Sequence, residues 1–322
     1  MAIAESTGLG ARLARRGRFL LANLDRRNFK ATLLQETIAL APGTAPRLAF
    51  FNHFDSEGRV ADYVLHHLGA LALAGHAIVF MTTAKRLNAE ALRALAPLCW
   101  MVARRRNIGL DIGGWPCAMR LYERRTGRRL AEANRVLITN DSVFGPLQPL
   151  PPLLDAMSSR QPDLWGISES LERGWHVQSY FLVFEREGPA FLSRWLSAFR
   201  FDPEREALIA RHEVGLSSAA RQKGLRIATL QSCEALAALV AEGGTEAAAA
   251  RKWIDREGRV NPTHWFWREL IACFGSPYIK RDLLRDYDRQ ASTGEHWRQV
   301  LARAAPAFPV RLVEDYLQSL PG

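Results

Sequence analysis

Leu9, Leu13, Leu20 and Leu24 recur at helical spacing with arginines between them, so the stretch from Gly10 to Arg27 predicts a basic amphipathic helix. Two readings of it stay open: a peripheral anchor on an anionic membrane, or a helix packed on its own domain with a solvated arginine face. Gly17 weakens the helix in either case, and Pro42, Gly43 and Pro46 mark a boundary after it. Beyond that boundary the pattern changes. Arg47 to Phe51 is a short apolar run that ends in Asn52-His53-Phe54-Asp55, which predicts a buried strand with polar residues at its carboxyl end. A helix from about Val60 to Ala74, a strand from His76 to Met81, a helix from about Asn88 to Ala96 and a strand at Cys99 to Val102 follow. Strand alternating with helix predicts a doubly wound, mostly parallel sheet.

Ligands of such sheets bind beyond the carboxyl ends of the strands. Three places meet that condition: Asn52 to Asp55, Thr82-Thr83, and Arg104 to Asp111. In the third, Asn107, Gly109, Asp111, Gly113 and Trp115 follow the strand directly and open the next helix. Its glycines would let backbone approach a ligand, and a helix N-terminus there favours phosphate. A further strand, Arg135 to Thr139, runs into Asn140-Asp141-Ser142-Val143-Phe144-Gly145-Pro146-Leu147. An Asp at a strand end suits Mg²⁺ or Mn²⁺, which take one or two carboxylates plus waters and phosphates. Capping of a turn by Asp141 or Ser142 explains the same pattern, and spacing alone leaves both readings open. Neither GxGxxG nor GxxxxGK[ST] occurs, which removes support for dehydrogenase and P-loop readings.

Composition narrows the class. In 322 residues, 48% are hydrophobic and 24% charged, as in ordinary globular proteins. No apolar run approaches the roughly 18 residues of a membrane-spanning helix. The start of the chain does not read as a secretory signal, its apolar residues being interrupted by Arg12, Arg15, Arg16 and Arg18. Cys99, Cys117, Cys233 and Cys273 form no CxxC pair and suit free thiols in a reducing, cytoplasmic compartment. The net charge of +10 is uneven, with nine arginines against three acids from Ala103 to Arg135. It suits a phosphorylated small molecule or an anionic membrane, and no nucleic-acid motif accompanies it, so no nucleic acid is expected.

Seven segments in order resemble the rhamnan synthesis protein F family, whose members look like GT-A-type glycosyltransferases. They are Asn52 to Asp55, Asn107 to Trp115, Asn140 to Leu147, Asp163-Leu164-Trp165-Gly166, His176 to Phe184, Asn261-Pro262-Thr263 and Pro277-Tyr278-Ile279-Lys280. The resemblance spans about Arg47 to Leu284. It implies a GT-A-like, Rossmann-type α/β domain over residues 47–290, with a donor half at about 47–150 and an acceptor half at about 151–290. Residues 1–46 are then a basic helical extension and 291–322 a helical tail.

The implied function is sugar transfer, with rhamnose a candidate, from a nucleotide sugar such as dTDP-rhamnose to a growing cell-surface polysaccharide or lipid-linked glycan. The protein would work in the cytoplasm, with a peripheral place on the inner membrane face as a further expectation. His53, Asp55, Thr82, Arg106, Asn107, Gly109, Asp111, Asn140, Asp141 and Ser142 are expected at the donor, with Asp141 on the diphosphate or a divalent cation. Asp163, Glu213 and His176 are the candidates for the base, the carboxylates being preferred. Trp165, Gln178, Tyr180, Thr263 and His264 are expected at the acceptor, where aromatic faces stack on sugar rings; most of the seven tryptophans from Trp165 to Trp297 are expected in the core. The chain departs from the usual GT-A pattern in offering Asn140-Asp141-Ser142, with one carboxylate, where Asp-x-Asp is usual. It also has His212 where the family favours Tyr before Glu. The rival readings are a nucleotidyltransferase-like enzyme and an inactive scaffold that binds glycan or nucleotide.

Overall fold

The computed structural model describes residues 9–24, 33–38, 47–242, 261–285 and 296–320. The helix α1 spans Leu9–Leu24, and an edge strand β1 spans Leu33–Ile38. The first 46 residues therefore hold a strand as well as the expected helix. β2 (Arg47–His53) is buried from its second residue onward, because a central parallel strand is covered on both faces. The strand continues through the buried polar residues Asn52 and His53, two residues beyond its apolar run.

The α/β alternation follows as expected, with shifted ends: α2 (Asp62–Leu73), β3 (Ala77–Thr82), α3 (Ala89–Leu95), β4 (Met101–Arg105) and α4 (Gly114–Thr126). Asn88 caps α3, its side chain accepting the Ala91 N–H at 2.7 Å. β4 begins two residues later than predicted and runs into the arginines, since Arg105 is buried. The second half contains β5 (Arg135–Asn140), β6 (Val143–Phe144), α5 (Leu150–Ser159), β7 (Leu164–Ser170), β8 (His176–Val177), β9 (Phe181–Glu185) and α6 (Gly188–Ser197). The sequence predicts one strand from Gln178 to Phe184, whereas the structure has a short turn there followed by β9. Then come α7 (Arg205–Ile209), a π-helical turn at Ala210–Val214, α8 (Gly215–Gln222), β10 (Ile227–Gln231) and α9 (Cys233–Glu242). The sequence from Ala235 to Ala250, rich in Ala, Glu and Gly, predicts a helical surface, and it is described only as far as residue 242. The remaining elements are α10 (Pro262–Trp265), α11 (Trp267–Ala272), β11 (Ile279–Lys280), α12 (Arg281–Arg285), α13 (Trp297–Ala304) and α14 (Arg311–Gln318).

The main sheet has the order β1-β4-β3-β2-β5-β9-β7-β10, with β8 on β7. β4, β3, β2 and β5 are parallel neighbours, β9 runs antiparallel between β5 and β7, and β10 is parallel to β7. Only β1 and β9 run against the direction of the other long strands, so the sheet is mostly parallel. Alternate residues of β2 serve two cores: Ala49 and Phe51 pack with α2, α5 and the C-terminal helices, whereas Leu48 and Phe50 pack with α4, α6 and α8.

α1 joins the second core through Ala22, which is buried, and through Asn23, whose amide donates to Phe201 O at 2.9 Å while its carbonyl accepts the Phe201 N–H at 2.8 Å. Leu20, Leu21 and Leu24 point away from that contact and are 62%, 59% and 74% exposed. Among the described residues no helix is long and apolar enough to cross a membrane.

The loop between β4 and α4 closes tightly on itself. Gly109 has φ +79°, and a Cβ at Gly113 would stand 2.3 Å from Ile108 O. That atom is backbone and has nowhere to go. Gly113→Ala should therefore destabilise the protein by about 1–3 kcal/mol, as overpacking against a rigid neighbour does. Urea unfolding measures it, and a loss near zero would show that the loop is looser than its geometry indicates.

Candidate active site at the switch point of the sheet

From β2 the chain winds outward through β3 and β4, then returns to place β5 on the other side of β2. The connections part there, and doubly wound sheets bind ligands at the carboxyl ends flanking such a switch point. Asn52 of β2 pairs in register with Asn140 of β5. Asp141, next in the chain, donates its N–H to Asn52 O at 3.1 Å and accepts the Phe54 N–H on Oδ2 at 3.2 Å. The carboxylate is thus folded back across the end of β2 and is 3% exposed.

The C-terminal part brings positive charge to it. β11 pairs antiparallel with β6, and Arg281 N donates to Ser142 O at 2.9 Å. Gly145 makes the approach possible, since a Cβ there would lie 2.4 Å from Pro277 O. Arg281 Nη1 donates to Asp141 Oδ2 at 3.1 Å and to Tyr63 Oη at 2.8 Å. Tyr63 Oη in turn donates to Asp141 O at 2.9 Å. Lys280 lies over the Tyr180 ring, 4.3 Å from its centroid. Burial pushes Lys280 below the usual lysine value, against the opposing charges of Asp282, Glu213 and Asp111.

The glycine loop supplies a second carboxylate. Asp111 Oδ2 accepts from Asn140 Nδ2 at 3.1 Å, and Asn140 Oδ1 accepts from Ser142 N at 3.1 Å and Ser142 Oγ at 2.6 Å. Burial, and then the charge of Asp141, push Asp111 up to about 6. Beneath the loop lies Arg105, a buried cation whose guanidinium donates to the carbonyls of Arg106 at 3.1 Å and Ile108 at 3.0 Å, and to that of Leu110.

The other expected donor residues divide. Phe54 is 48% exposed at the mouth, beside Asp141. Asp55 is spent on its own turn, accepting the N–H groups of Glu57 and Arg59, each at 2.9 Å. It faces a cavity of about 310 Å³ with Arg59, Asn88 and Tyr316. His53 and Thr82 are buried and bond one another at 3.0 Å, so both hold strand ends together below the surface. Burial pushes His53 down, against the pull of Asp141 and Asp55. Asn107 and Gly109 line a separate cavity of about 190 Å³ with Arg18 and Arg205, and Arg106 is exposed beside it.

The expected bases are separated by the length of the sheet. Asp163 precedes β7, level with Arg135 at the amino end of β5, and so lies at the end opposite Asp141. It accepts the Arg226 N–H at 2.8 Å and pairs with Arg186 at 3.6 Å, which makes it a pin between loops. Glu213 is on the other side of that divide: its Oε1 accepts the Ser179 N–H at 3.2 Å and hydroxyl at 2.7 Å, within the electrostatic reach of Lys280. His176 is buried and its Nδ1 donates to Gly174 O at 2.9 Å.

Of the expected acceptor residues, Trp165 is fully buried and donates to Glu185 Oε2 at 3.2 Å, so the structure places it in the core, away from any sugar. Gln178 and Tyr180 are buried and share Ser168, which is 2.7 Å from Gln178 Oε1 and 2.8 Å from Tyr180 Oη. Gln178 and Thr263 both donate to Asn261 Oδ1, at 3.0 and 2.7 Å. His264 pairs with Asp282 at 3.2 Å, and the neighbouring Trp265 is 50% exposed. Trp253 lies outside the described residues.

The model of the family described as rhamnan synthesis protein F matches residues 78–246. This chain belongs to the rhamnan synthesis protein F family. Within the curated proteins, this family member is similar to the virulence protein VirA of Vibrio anguillarum (strain ATCC 68554 / 775), 26% identical over 207 residues that cover 60% of this chain and 64% of VirA. It is also similar to the uncharacterized protein y4gN of Sinorhizobium fredii (strain NBRC 101917 / NGR234), 25% identical over 167 residues, 50% of this chain and 42% of that one. The chain thus spans less than two thirds of the curated relatives it matches. Among solved structures, the mannosyltransferase PcManGT from Pyrobaculum calidifontis, in complex with GDP-Man and Mn²⁺, aligns over 96% of this chain and 79% of its own, with 14% identity and a TM-score of 0.38.

A divalent cation here would have Asp141 and Asp111 as its carboxylates. Asp141 Oδ2 is engaged by Phe54 and Arg281, and Asp111 Oδ2 by Asn140. Among the described residues no group of three or more His, Cys, Asp or Glu could hold a metal ion. As arranged, a guanidinium sits on the carboxylate that the sequence offers to Mg²⁺ or Mn²⁺, and its charge opposes a dication there.

The raised value at Asp111 predicts a pH signature. The unfolded chain ionises this group near 3.8 and the folded protein near 6, so the folded state holds the proton more tightly. The ionised carboxylate then opposes folding, with a penalty that grows between these values and is complete above about 6. Asp111→Asn should raise Tm at pH 8, with the gain shrinking toward pH 5. Thermal melts across that range check this, and a pH-independent difference would refute it.

Proposed function

We propose that this chain transfers a sugar from a nucleotide-sugar donor to a growing cell-surface polysaccharide, with the donor diphosphate at the Asp111–Asp141 crevice. The observation that carries this reading is the convergence of Asp141, Asp111, Lys280 and Arg281 at the switch point, where doubly wound sheets bind nucleotides. Family membership supports polysaccharide assembly as the setting and makes rhamnose, carried as dTDP-rhamnose, the first donor to test. Phe54, exposed beside Asp141, suits the face of the donor's base.

Glu213 is the base in this reading. Its carboxylate is oriented by Ser179 and lies near Lys280, whereas Asp163 is at the other end of the sheet. It would take the proton of the acceptor hydroxyl as that oxygen attacks the anomeric carbon. Trp265, half exposed next to His264, offers the acceptor glycan an aromatic face in place of Trp165. The exposed leucines of α1 suit a peripheral position on an anionic inner membrane face, where a lipid-linked acceptor would lie.

Transfer assays with a panel of dTDP-, UDP- and GDP-sugars test the reading. Glu213→Gln should lower kcat by about 10²-fold or more with donor binding retained. Asp163→Asn should lower stability and leave the kcat of the folded protein near the wild-type value. Full activity in Glu213→Gln would remove it from the mechanism. Absence of transfer together with absence of thermal stabilisation by any nucleotide would favour a scaffold that binds glycan alone.

A further inference from the structure

We propose that the guanidinium of Arg281, pinned on Asp141 and flanked by Lys280, takes the place of a divalent cation at the donor diphosphate, so that the protein binds its donor without metal. The proposal rests on the donor-site reading above and adds what neutralises the leaving group there.

Three observations carry it. The first is occupancy: Arg281 Nη1 lies 3.1 Å from Asp141 Oδ2, within the carboxylate's coordination sphere, and 2.8 Å from Tyr63 Oη. The second is the placement of charge. Lys280 and Arg281 are consecutive cations facing Asp111 and Asp141, with Glu213 and Asp282 within reach of Lys280. An incoming diphosphate therefore meets two cations supplied by the protein itself. The third is the unused part of the fork. Both hydrogen bonds of Arg281 leave from Nη1, the side chain is 23% exposed, and Nε and Nη2 have no hydrogen-bond partner among the described residues. A guanidinium fork binds two oxygens of a phosphate in parallel, which a lysine cannot do. The backbone bond from Arg281 N to Ser142 O and the β6–β11 pairing hold the fork in place before any ligand arrives.

In the transfer step the bond between the anomeric carbon and the β-phosphate oxygen breaks, and its electron pair leaves on the diphosphate. The N–H groups of Arg281 and the ammonium of Lys280 receive that charge. The acceptor oxygen forms the new bond to the anomeric carbon, and its proton passes to Glu213.

Calorimetric titration of the full chain with UDP, GDP and dTDP, in EDTA and in excess MnCl₂, tests the proposal. At least one nucleoside diphosphate should bind with the same affinity in both media. Arg281→Met should weaken that binding by about tenfold or more in EDTA, in line with the loss of charge-assisted hydrogen bonds. Wild-type binding that appears only with Mn²⁺, or unaltered binding by Arg281→Met, overturns the proposal and leaves the donor-site reading standing. No binding of any of the three in either medium overturns both. Circular dichroism checks the fold of the variant. If Arg281→Met does not fold, Arg281→Lys serves, since it keeps the charge and loses the fork: weaker binding that Mn²⁺ does not restore supports the proposal, and unchanged binding overturns it.

Discussion

The ion pair between Asp141 and Arg281 ties together three parts of the chain that are far apart in sequence. Asp141 follows β5, Phe54 donates to it from just after β2, and Arg281 reaches it from the C-terminal segment. Taking a carboxylate out of water is costly unless its oxygens are paired. With Oδ2 held by a backbone N–H and a guanidinium, and the carbonyl held by Tyr63, burial of Asp141 is sustained. Removing either partner would leave a buried charge uncompensated, so the C-terminal segment is part of the site and of the fold at once.

The same economy explains the loop that carries Asp111. Its carbonyls converge on Arg105, a cation in the floor of the site, and its glycines permit the close turn above it. Asp111 is then delivered next to Asp141, where two like charges cannot both ionise freely. Lys280 and Arg281 relieve that strain from the opposite side. The result is a cluster of opposite charges at the carboxyl edge of the sheet.

The alternating strands and helices, the carboxyl-end placement of Asp141 and Asp111, and the family were legible from the chain, because each depends on local patterning or on short segments in a fixed order. Strand ends were less so. β4 and β2 extend past their apolar runs since burial, which the tertiary structure sets, admits Arg105 and His53 into strands. Trp165 and Asp163 carry residue types suited to sugar and proton chemistry, yet one is core and the other is a loop pin at the far end of the sheet.

By itself the sequence determined a mostly parallel α/β sheet and put acidic side chains at the carboxyl ends of its strands, because periodicity and strand direction are local properties. Only the tertiary structure decided which groups meet there. Arg281 and Tyr63 join Asp141 across 140 and 78 residues of chain respectively, and no spacing signal survives such separations. Glu213 is distinguished from Asp163 in the same way, by the end of the sheet on which each falls. A carboxylate's role depends on the charge beside it, and that neighbour is set by the fold.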